Sequence, residues 1–294
     1  MKRMLFIFHA KAGRGSLKQK LMEIVSRFNQ AGYAVTILTT AHRGHAEELV
    51  ATYANDYDLL LAAGGDGTLN ETVNGMLKAK EKMPIAYIPT GTTNDFAGSL
   101  GIENRLDRAI DRIIQGNTVS VDVGLINDER AFLYVAAFGT IVKASYTTAQ
   151  EDKNIWGYAA YLAEAIDLLP ETRSYNIKVK YDGKTKKNDV MYGLITNSDR
   201  VSGIRGITGR DVSMSDGRFE ATFLQNAKNV AELVIPATTL FTDNPDPKYV
   251  ERFSFEDMTI ESDRPIEWGI DGEYGGTFSV THLKVMKKAI SFYV

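Results

Sequence analysis

The sequence contains no cysteine. Disulfides, thiolate metal sites and cysteine nucleophiles are excluded with it, and the absence fits a reducing compartment. It also lacks a long apolar run. Nothing approaches the ~18 residues that a membrane-spanning helix needs. It lacks an excess of either charge: 34 Lys and Arg against 37 Asp and Glu leave a net −3, so no bulk field draws it to nucleic acid or anionic lipid. Any basic patch must be local. There is no internal repeat and no low-complexity tract, and the aromatic residues are scattered without the stacking pattern of a nucleic-acid module. The opening MKRMLFIFHA has too brief an apolar run for a signal peptide and enters a Gly/Lys loop, so it reads as a first strand. What remains is an ordinary globular composition, 44% hydrophobic and 24% charged, in a chain of 294 residues, long enough for two domains.

The first part alternates strand and helix. Met4–Phe8 reads as a buried strand. Leu21, Ile24, Val25 and Phe28 follow the amphipathic-helix spacing over Leu17–Ala31, and Gly32 stops that helix. Strands follow at Ala34–Leu38, Leu59–Ala63 and Pro84–Ile88, with helices at His45–Asn55, Leu69–Leu77, Asp95–Leu100 and Asp107–Gln115. This alternation predicts a parallel sheet covered on both faces, with the strand-end loops along one edge. The character changes near Val119. Apart from a helix at Tyr158–Leu169, alternating segments separated by Asp-Gly and Asn-Asp turns predict a mainly antiparallel second domain. The domains are placed at 1–120 and 121–294, with the last strand returning to the first domain. The cleft between two such domains is the expected site.

Three stretches carry chemistry. In AAGGDGTLNE, Gly64, Gly65 and Gly67 let the chain turn at a strand end and let a polyphosphate approach the peptide N–H groups. The following helix points its N-terminal amides the same way. Asp66 among phosphates makes sense if it holds Mg²⁺, directly or through water, because the ion reverses the local sign. A plain strand-to-helix turn, capped by Thr68 or Asp66, is the competing reading. The second stretch, PTGTTNDFA, again brings glycine, hydroxyls and a carboxylate to a strand end: Thr92 to donate to phosphate, Asn94 to hold the loop, Asp95 to orient substrate or metal. The third is WGIDGEYGG, where Asp271 and Glu273 sit two apart among glycines, in isolation a hairpin turn.

Taken together, GGDGTLNE, PTGTTNDFA and IDGEYGG resemble the diacylglycerol kinase catalytic-domain family in its soluble bacterial lipid-kinase branch, over nearly the whole chain. The first motif is shared with NAD kinases and phosphofructokinases; the second is far more selective. The resemblance implies a Rossmann-like α/β N-terminal domain of the NAD kinase and diacylglycerol kinase type, and a mainly antiparallel β-sandwich C-terminal domain. It implies ATP bound through Gly64, Gly65, Asp66, Gly67, Thr68, Leu69, Asn70, Thr92 and Thr40, beside the loop His9, Ala10, Lys11, Ala12 and Gly13. Glu273 matches the general base, Asp66 and Asp95 the acidic residues near a catalytic Mg²⁺, and Asp271 a supporting or catalytic carboxylate. A structural Mg²⁺ is implied at Asp216, with carbonyl oxygens from Ser213 and Arg218. Without the resemblance, SDGRF is simply a hairpin turn. Two departures stand out. His9-Ala10-Lys11-Ala12-Gly13 replaces the usual Asn-Pro-x-x-Gly, and Gly98 and Ser99 stand where relatives can carry a basic residue.

His42, His45 and Glu48 suggest metal but read better as a loop opening a solvated helix. Lys178, Lys180, Lys184, Lys186 and Lys187 form a basic hairpin that suits either an anionic membrane or a charged edge strand. The resulting expectation is a cytoplasmic, ATP- and Mg²⁺-dependent lipid kinase, peripheral at the inner membrane face during turnover. Its acceptor is a glycerolipid hydroxyl, diacylglycerol first, giving phosphatidate. Phosphatidylglycerol, a sphingoid base, NAD, or a nucleotide-binding module without catalysis are the alternatives. No nucleic-acid partner and no transmembrane segment are expected, and a homodimer is compatible with the sequence.

Overall fold

Strand and helix alternate through the first part of the chain, as the hydrophobic spacing requires. The computed structural model describes residues 1–9, 16–91, 94–139, 174–198, 200–201, 204–205, 212–226 and 245–294. The chain separates into two compact units. Unit 1 comprises Met1–Val123 and Lys287–Val294, and unit 2 comprises Gly124–Met286.

Unit 1 runs β1 (Lys2–His9), α1 (Ser16–Gln30), β2 (Tyr33–Thr40), α2 (His45–Tyr53), β3 (Leu59–Gly64), α3 (Asp66–Lys78), β4 (Ile85–Pro89), α4 (Asp95–Leu100), α5 (Leu106–Gln115) and the first half of β5 (Thr118–Ile126). The strand order is β2-β1-β3-β4, all parallel. Met4, Phe6, Leu59, Leu61, Ala86 and Ile88 pack with Leu17, Ile24 and Phe28 of α1 and with Ile110 and Ile113 of α5. The alternate residues Leu5, Ile7, Leu60 and Ala62 are equally buried, and α2 and α3 contact β1 and β3. A sheet apolar on both faces accounts for the nearly continuous apolar runs in these strands.

The helix expected at Leu69–Leu77 begins earlier, at Asp66. Gly65 is its N-cap, in extended conformation, and no side chain caps it. Asp66, Gly67 and Thr68 are therefore its first turn rather than loop. The helix expected at Tyr158–Leu169 lies outside the described residues.

Unit 2 holds the rest of β5, then β6 (Arg130–Phe132), β7 (Val135–Gly139), β8 (Tyr175–Tyr181), β9 (Lys184–Thr196), β10 (Arg200–Val201), β11 (Ile204–Arg205), β12 (Phe219–Gln225), β13 (Val250–Phe255), β14 (Asp257–Ile270) and most of β15 (Glu273–Tyr293). β9 and β14 are long. Each pairs β8 with its first half and β7 with its second, all antiparallel. β12 and β13 extend the sheet beyond β9, and β15 extends it beyond β14. The turns are those the sequence marks: Asn127-Asp128, Asp182-Gly183 and Asp271-Gly272 all have positive φ, the conformation that favours Asn, Asp and Gly in two-residue hairpins. One face carries the core, in which Phe132, Phe138, Phe219, Phe223, Phe255 and Trp268 are fully buried. The Phe138 and Trp268 rings lie 4.9 Å apart, edge to face.

β15 brings the chain back to unit 1. It bends at Lys288, whose φ is 49° and whose N–H donates to the buried Asp122 carboxylate at 2.6 Å. Beyond the bend Phe292 pairs in parallel with Ile85 and packs on Phe96. Among the described residues no helix is long and apolar enough to cross a membrane.

The Trp268 indole N–H donates to Thr281 Oγ1 at 2.9 Å, its one acceptor among the described residues, and both residues are fully buried. Thr281→Val keeps the shape and removes the acceptor. It should lower stability by about 1–3 kcal/mol, the cost of an orphaned buried donor. Urea denaturation followed by tryptophan fluorescence checks this.

Candidate active site

The carboxyl ends of β1, β3 and β4 lie along one edge of the parallel sheet. Phe8 pairs with Ala63 and Ala63 with Ile88, so His9, Gly64 and Pro89 follow in one row, with Thr40 beside His9. The chain leaves β1 toward β2 on one side and resumes with β3 on the other, which makes this the switch point where open α/β sheets bind ligands. Of the residues expected to meet a nucleotide, His9, Thr40 and Gly64–Asn70 are thus gathered at one edge. His9 Nδ1 and Thr40 Oγ1 are 2.9 Å apart. Ala10, Lys11, Ala12, Gly13 and Thr92 lie outside the described residues.

Two loops meet here at van der Waals limits. A Cβ on Gly91 would fall 2.7 Å from Gly65 Cα and 2.8 Å from Asn94 Oδ1. Only glycine permits that approach. Asn94 closes the second loop on itself: its Oδ1 accepts from Gly91 N–H at 2.9 Å, and its Nδ2 donates to Gly91 O at 2.8 Å. It does so from the left-handed region, with φ 48°, which Asn tolerates better than most residues. Asp95 then opens α4 and is buried. The Gly64 carbonyl accepts from Thr90 N–H and from Tyr87 Oη, both at 2.8 Å. Burial, with the Asp66 charge second, holds the Tyr87 phenol well above its ordinary pKa, so it remains a donor. The end of β3 is thereby fixed from both sides. No side chain caps the N-terminus of α3, and an uncapped helix start attracts anions.

Sequence reasoning missed Tyr87, hidden in the apolar run IAYIP. It also gave no role to Glu71 of the first motif. Glu71 Oε1 accepts from Gly44 N–H at 2.7 Å and Oε2 from Ala46 N–H at 3.1 Å, so a residue of α3 caps α2.

In unit 2, Asp271 and Gly272 form the two-residue turn between β14 and β15, and Ile270 faces Glu273 across it. Asp271 is buried. Its Oδ2 accepts from Leu133 N–H at 2.7 Å, and its Oδ1 from Tyr134 and Val135 N–H, each at 3.1 Å. This carboxylate ties the hairpin to the segment entering β7. Glu273 stands next to it, with its side chain 29% exposed, accessible to a reactant. Arg130, another residue the sequence reading passed over, reaches it. One guanidinium nitrogen lies 3.3 Å from Glu273 Oε2 and the other donates to Tyr274 O at 2.9 Å.

The Ser213–Arg218 turn precedes β12. Arg218 N–H donates to Asp216 Oδ1 at 2.9 Å. The Arg218 guanidinium points elsewhere, to Asp182, Glu256 and Ser254. Glu220 follows on β12, and burial, with the Asp216 charge second, pushes its carboxyl up to about 8. The turn offers carbonyl oxygens and a carboxylate, hard donors of the kind Mg²⁺ takes.

Two other features fall away. His42, His45 and Glu48 do cluster. However, His45 Nδ1 accepts from Ala41 N–H at 2.9 Å, which places the His45 proton on Nε2 and leaves that nitrogen no lone pair for a metal. In the basic hairpin, Lys178 and Lys180 pair with Glu261, and Lys186 pairs with Glu251. This is the pattern of a charged strand surface.

Asp271→Asn would keep the turn, since Asn also tolerates positive φ, but would leave one oxygen to serve three N–H donors. Stability should fall by about 2 kcal/mol. A thermal melt of the variant against the parent measures it; an unchanged melt would show that the hairpin tip does not depend on the carboxylate.

The diacylglycerol kinase catalytic domain family matches residues 3–126. A diacylglycerol kinase of Bacillus subtilis is 32% identical over 279 residues, covering 94% of this chain and 91% of that protein. One from Staphylococcus carnosus is 31% identical, covering 99% and 95%. The crystal structure of a diacylglycerol kinase from Bacillus anthracis superposes with a TM-score of 0.77 at 20% identity, covering 99% of this chain and 96% of that one, so the fold is shared end to end. The chain belongs to the diacylglycerol kinase catalytic-domain family and is a lipid kinase.

Proposed function

We propose that the enzyme transfers the terminal phosphoryl group of ATP, with Mg²⁺, to the hydroxyl of diacylglycerol, giving phosphatidate. The observation that carries this is the strand edge of unit 1. There a glycine turn, an uncapped helix N-terminus and a carboxylate, Asp66, converge with the Gly91 loop. Amide donors suit phosphate oxygens, and a carboxylate among them calls for a cation. The acceptor rests on the relatives named diacylglycerol kinase.

In this reading residues 1–120 hold the nucleotide and 121–294 the lipid, with the last strand returned to the first. The order β2-β1-β3-β4 supports a Rossmann-like description of the first part, and the antiparallel strands support a sandwich description of the second. Gly64–Asn70, Thr92, Thr40 and the loop His9–Gly13 contact ATP. Asp66 and Asp95 would hold the catalytic Mg²⁺, which would neutralise charge on the phosphates. Glu273 takes the proton from the lipid hydroxyl. That oxygen then bonds to the terminal phosphorus, and the bond from phosphorus to the ADP oxygen breaks. Asp271 fixes the hairpin that presents Glu273, and Arg130 restrains the Glu273 side chain. Asp216 would hold a structural Mg²⁺ with the Ser213 and Arg218 carbonyl oxygens. The enzyme works as a peripheral protein at the cytoplasmic face of the membrane, alone or as a homodimer.

Phosphate transfer from labelled ATP to diacylglycerol, phosphatidylglycerol and sphingosine in mixed micelles, and to NAD, tests the acceptor. Label should enter diacylglycerol. Glu273→Gln should reduce transfer at least ~100-fold with nucleotide affinity kept, within the range of a lost general base. Label in NAD, or near-normal turnover in Glu273→Gln, would defeat the assignment concerned. Asp216→Ala should lower the melting temperature more in Mg²⁺ than in EDTA; an equal loss in both would argue against a metal there.

A further inference from the structure

Arg130 meets Glu273 because two hairpins bring them to one face. Arg130 lies on β6 opposite Ile126 of β5, and Ile126 belongs to the core. Glu273 lies opposite Ile270 of β14, another core residue. Cross-strand partners share a face, so both side chains emerge at the rim of the same core. There one guanidinium nitrogen is 3.3 Å from Glu273 Oε2, and the other donates to Tyr274 O at 2.9 Å. The Arg130 side chain is 36% exposed and that of Glu273 29%, so a ligand can reach both. A guanidinium carries five N–H donors in a planar fork, and these two contacts engage two of them.

The reaction puts a phosphate beside that fork. A base within hydrogen-bond reach of a hydroxyl lies ~3 Å from its oxygen. That oxygen then bonds to phosphorus, so the phosphoryl oxygens stand one bond beyond the atom that Glu273 touches, within the sweep of Arg130. Charge moves at the same time. Before transfer, carboxylate and guanidinium offset each other. Afterwards Glu273 holds the proton and is neutral, the lipid oxygen carries the phosphoryl group, and ADP leaves with the electron pair of the broken bond. Arg130 has then lost its charged partner just as a phosphate monoester of about −1.5 to −2 charge has formed next to it. Guanidinium and phosphate pair through two parallel, charge-assisted hydrogen bonds.

We propose that Arg130 exchanges partners during transfer: it holds Glu273 beforehand and binds the transferred phosphoryl group as the proton reaches Glu273. This rests on the reading of Glu273 as the base and extends it. The contact to Tyr274 O makes the exchange possible. It anchors one nitrogen to the hairpin backbone while the other turns from carboxylate to phosphate. A restraint on Glu273 would serve the ground state alone. The exchanged contact is made as charge develops on the phosphoryl group, so it lowers the barrier. It also holds the product, so phosphatidate binds the enzyme through the same guanidinium.

The test pairs turnover of diacylglycerol with calorimetric titration of the full chain by a short-chain, water-soluble phosphatidate. Arg130→Gln should lower kcat at least about tenfold with KM for ATP little changed, the pattern of a contact absent from the ground state. Its affinity for the phosphatidate should fall at least about tenfold. Arg130→Lys keeps the charge and loses the fork, so it should lie between the parent and Arg130→Gln in both readings. Should Arg130→Gln melt well below the parent, Arg130→Lys carries the comparison. Glu273→Gln frees the guanidinium from a charged partner and should bind the phosphatidate at least as tightly as the parent. Phosphatidate affinity unchanged in the Arg130 variants would overturn the proposal, leaving Arg130 as a restraint on Glu273 and the base reading intact. No measurable binding to the parent would overturn it too. Near-normal turnover in Glu273→Gln would instead remove the base reading, and this proposal with it.

Discussion

The near-contact of Gly65 and Gly91 is the constraint on which the strand edge of unit 1 depends. Two strand-end loops approach until a single methyl would drive them apart. Everything around them maintains that distance. Asn94 folds the second loop against its own backbone, and Tyr87 and Thr90 hold the first through one carbonyl. No side chain caps the N-terminus of α3 beside them, and the partial positive charge of a helix start favours a phosphate.

Unit 2 solves a different problem by similar means. The residue proposed as base must be reachable and yet stay in place. Glu273 is part-exposed, but its neighbour Asp271 is buried and held by three peptide N–H groups. The mobile-looking tip of a hairpin is thereby tied to β7, and Arg130 limits where the Glu273 carboxylate can swing. Positioning groups and reacting groups sit side by side in sequence. That is why a pattern as short as Asp-Gly-Glu can mark a site.

The parallel unit was legible in the sequence because its strands are buried on both sides and its helices are amphipathic. β1, β3 and β4 read as apolar runs and α1 as a spaced stripe. The start of α3 was misread by three residues, since Gly67 and Thr68 resemble loop and their helical state is imposed by the strand end they follow. The hairpins were visible from their Asp-Gly and Asn-Asp turns. The site residues stood out wherever glycines flanked a carboxylate. Arg130 and Tyr87 were illegible for a common reason. Each belongs to a strand pattern in its own neighbourhood and acquires its role only from a residue distant in sequence. The pairing of β12 with β9, which sets Glu220 opposite Thr196, has no local signature at all.

The bend at Lys288 has a consequence for the order of events during synthesis. Beyond it, Phe292 fills the space beside Phe96 and pairs with β4, and Val294 N–H donates to Asn117 O. Unit 1 therefore lacks one of its strands until all of unit 2 has left the ribosome. The part of the chain made first is the last to be finished, with the closure entropy of a long intervening segment to overcome. Unit 2, continuous in sequence, meets no such delay. A nascent chain thus passes through a stage in which the later unit can be complete while the earlier one stands open at β4, exposing an apolar strand edge that only its own C-terminal segment closes.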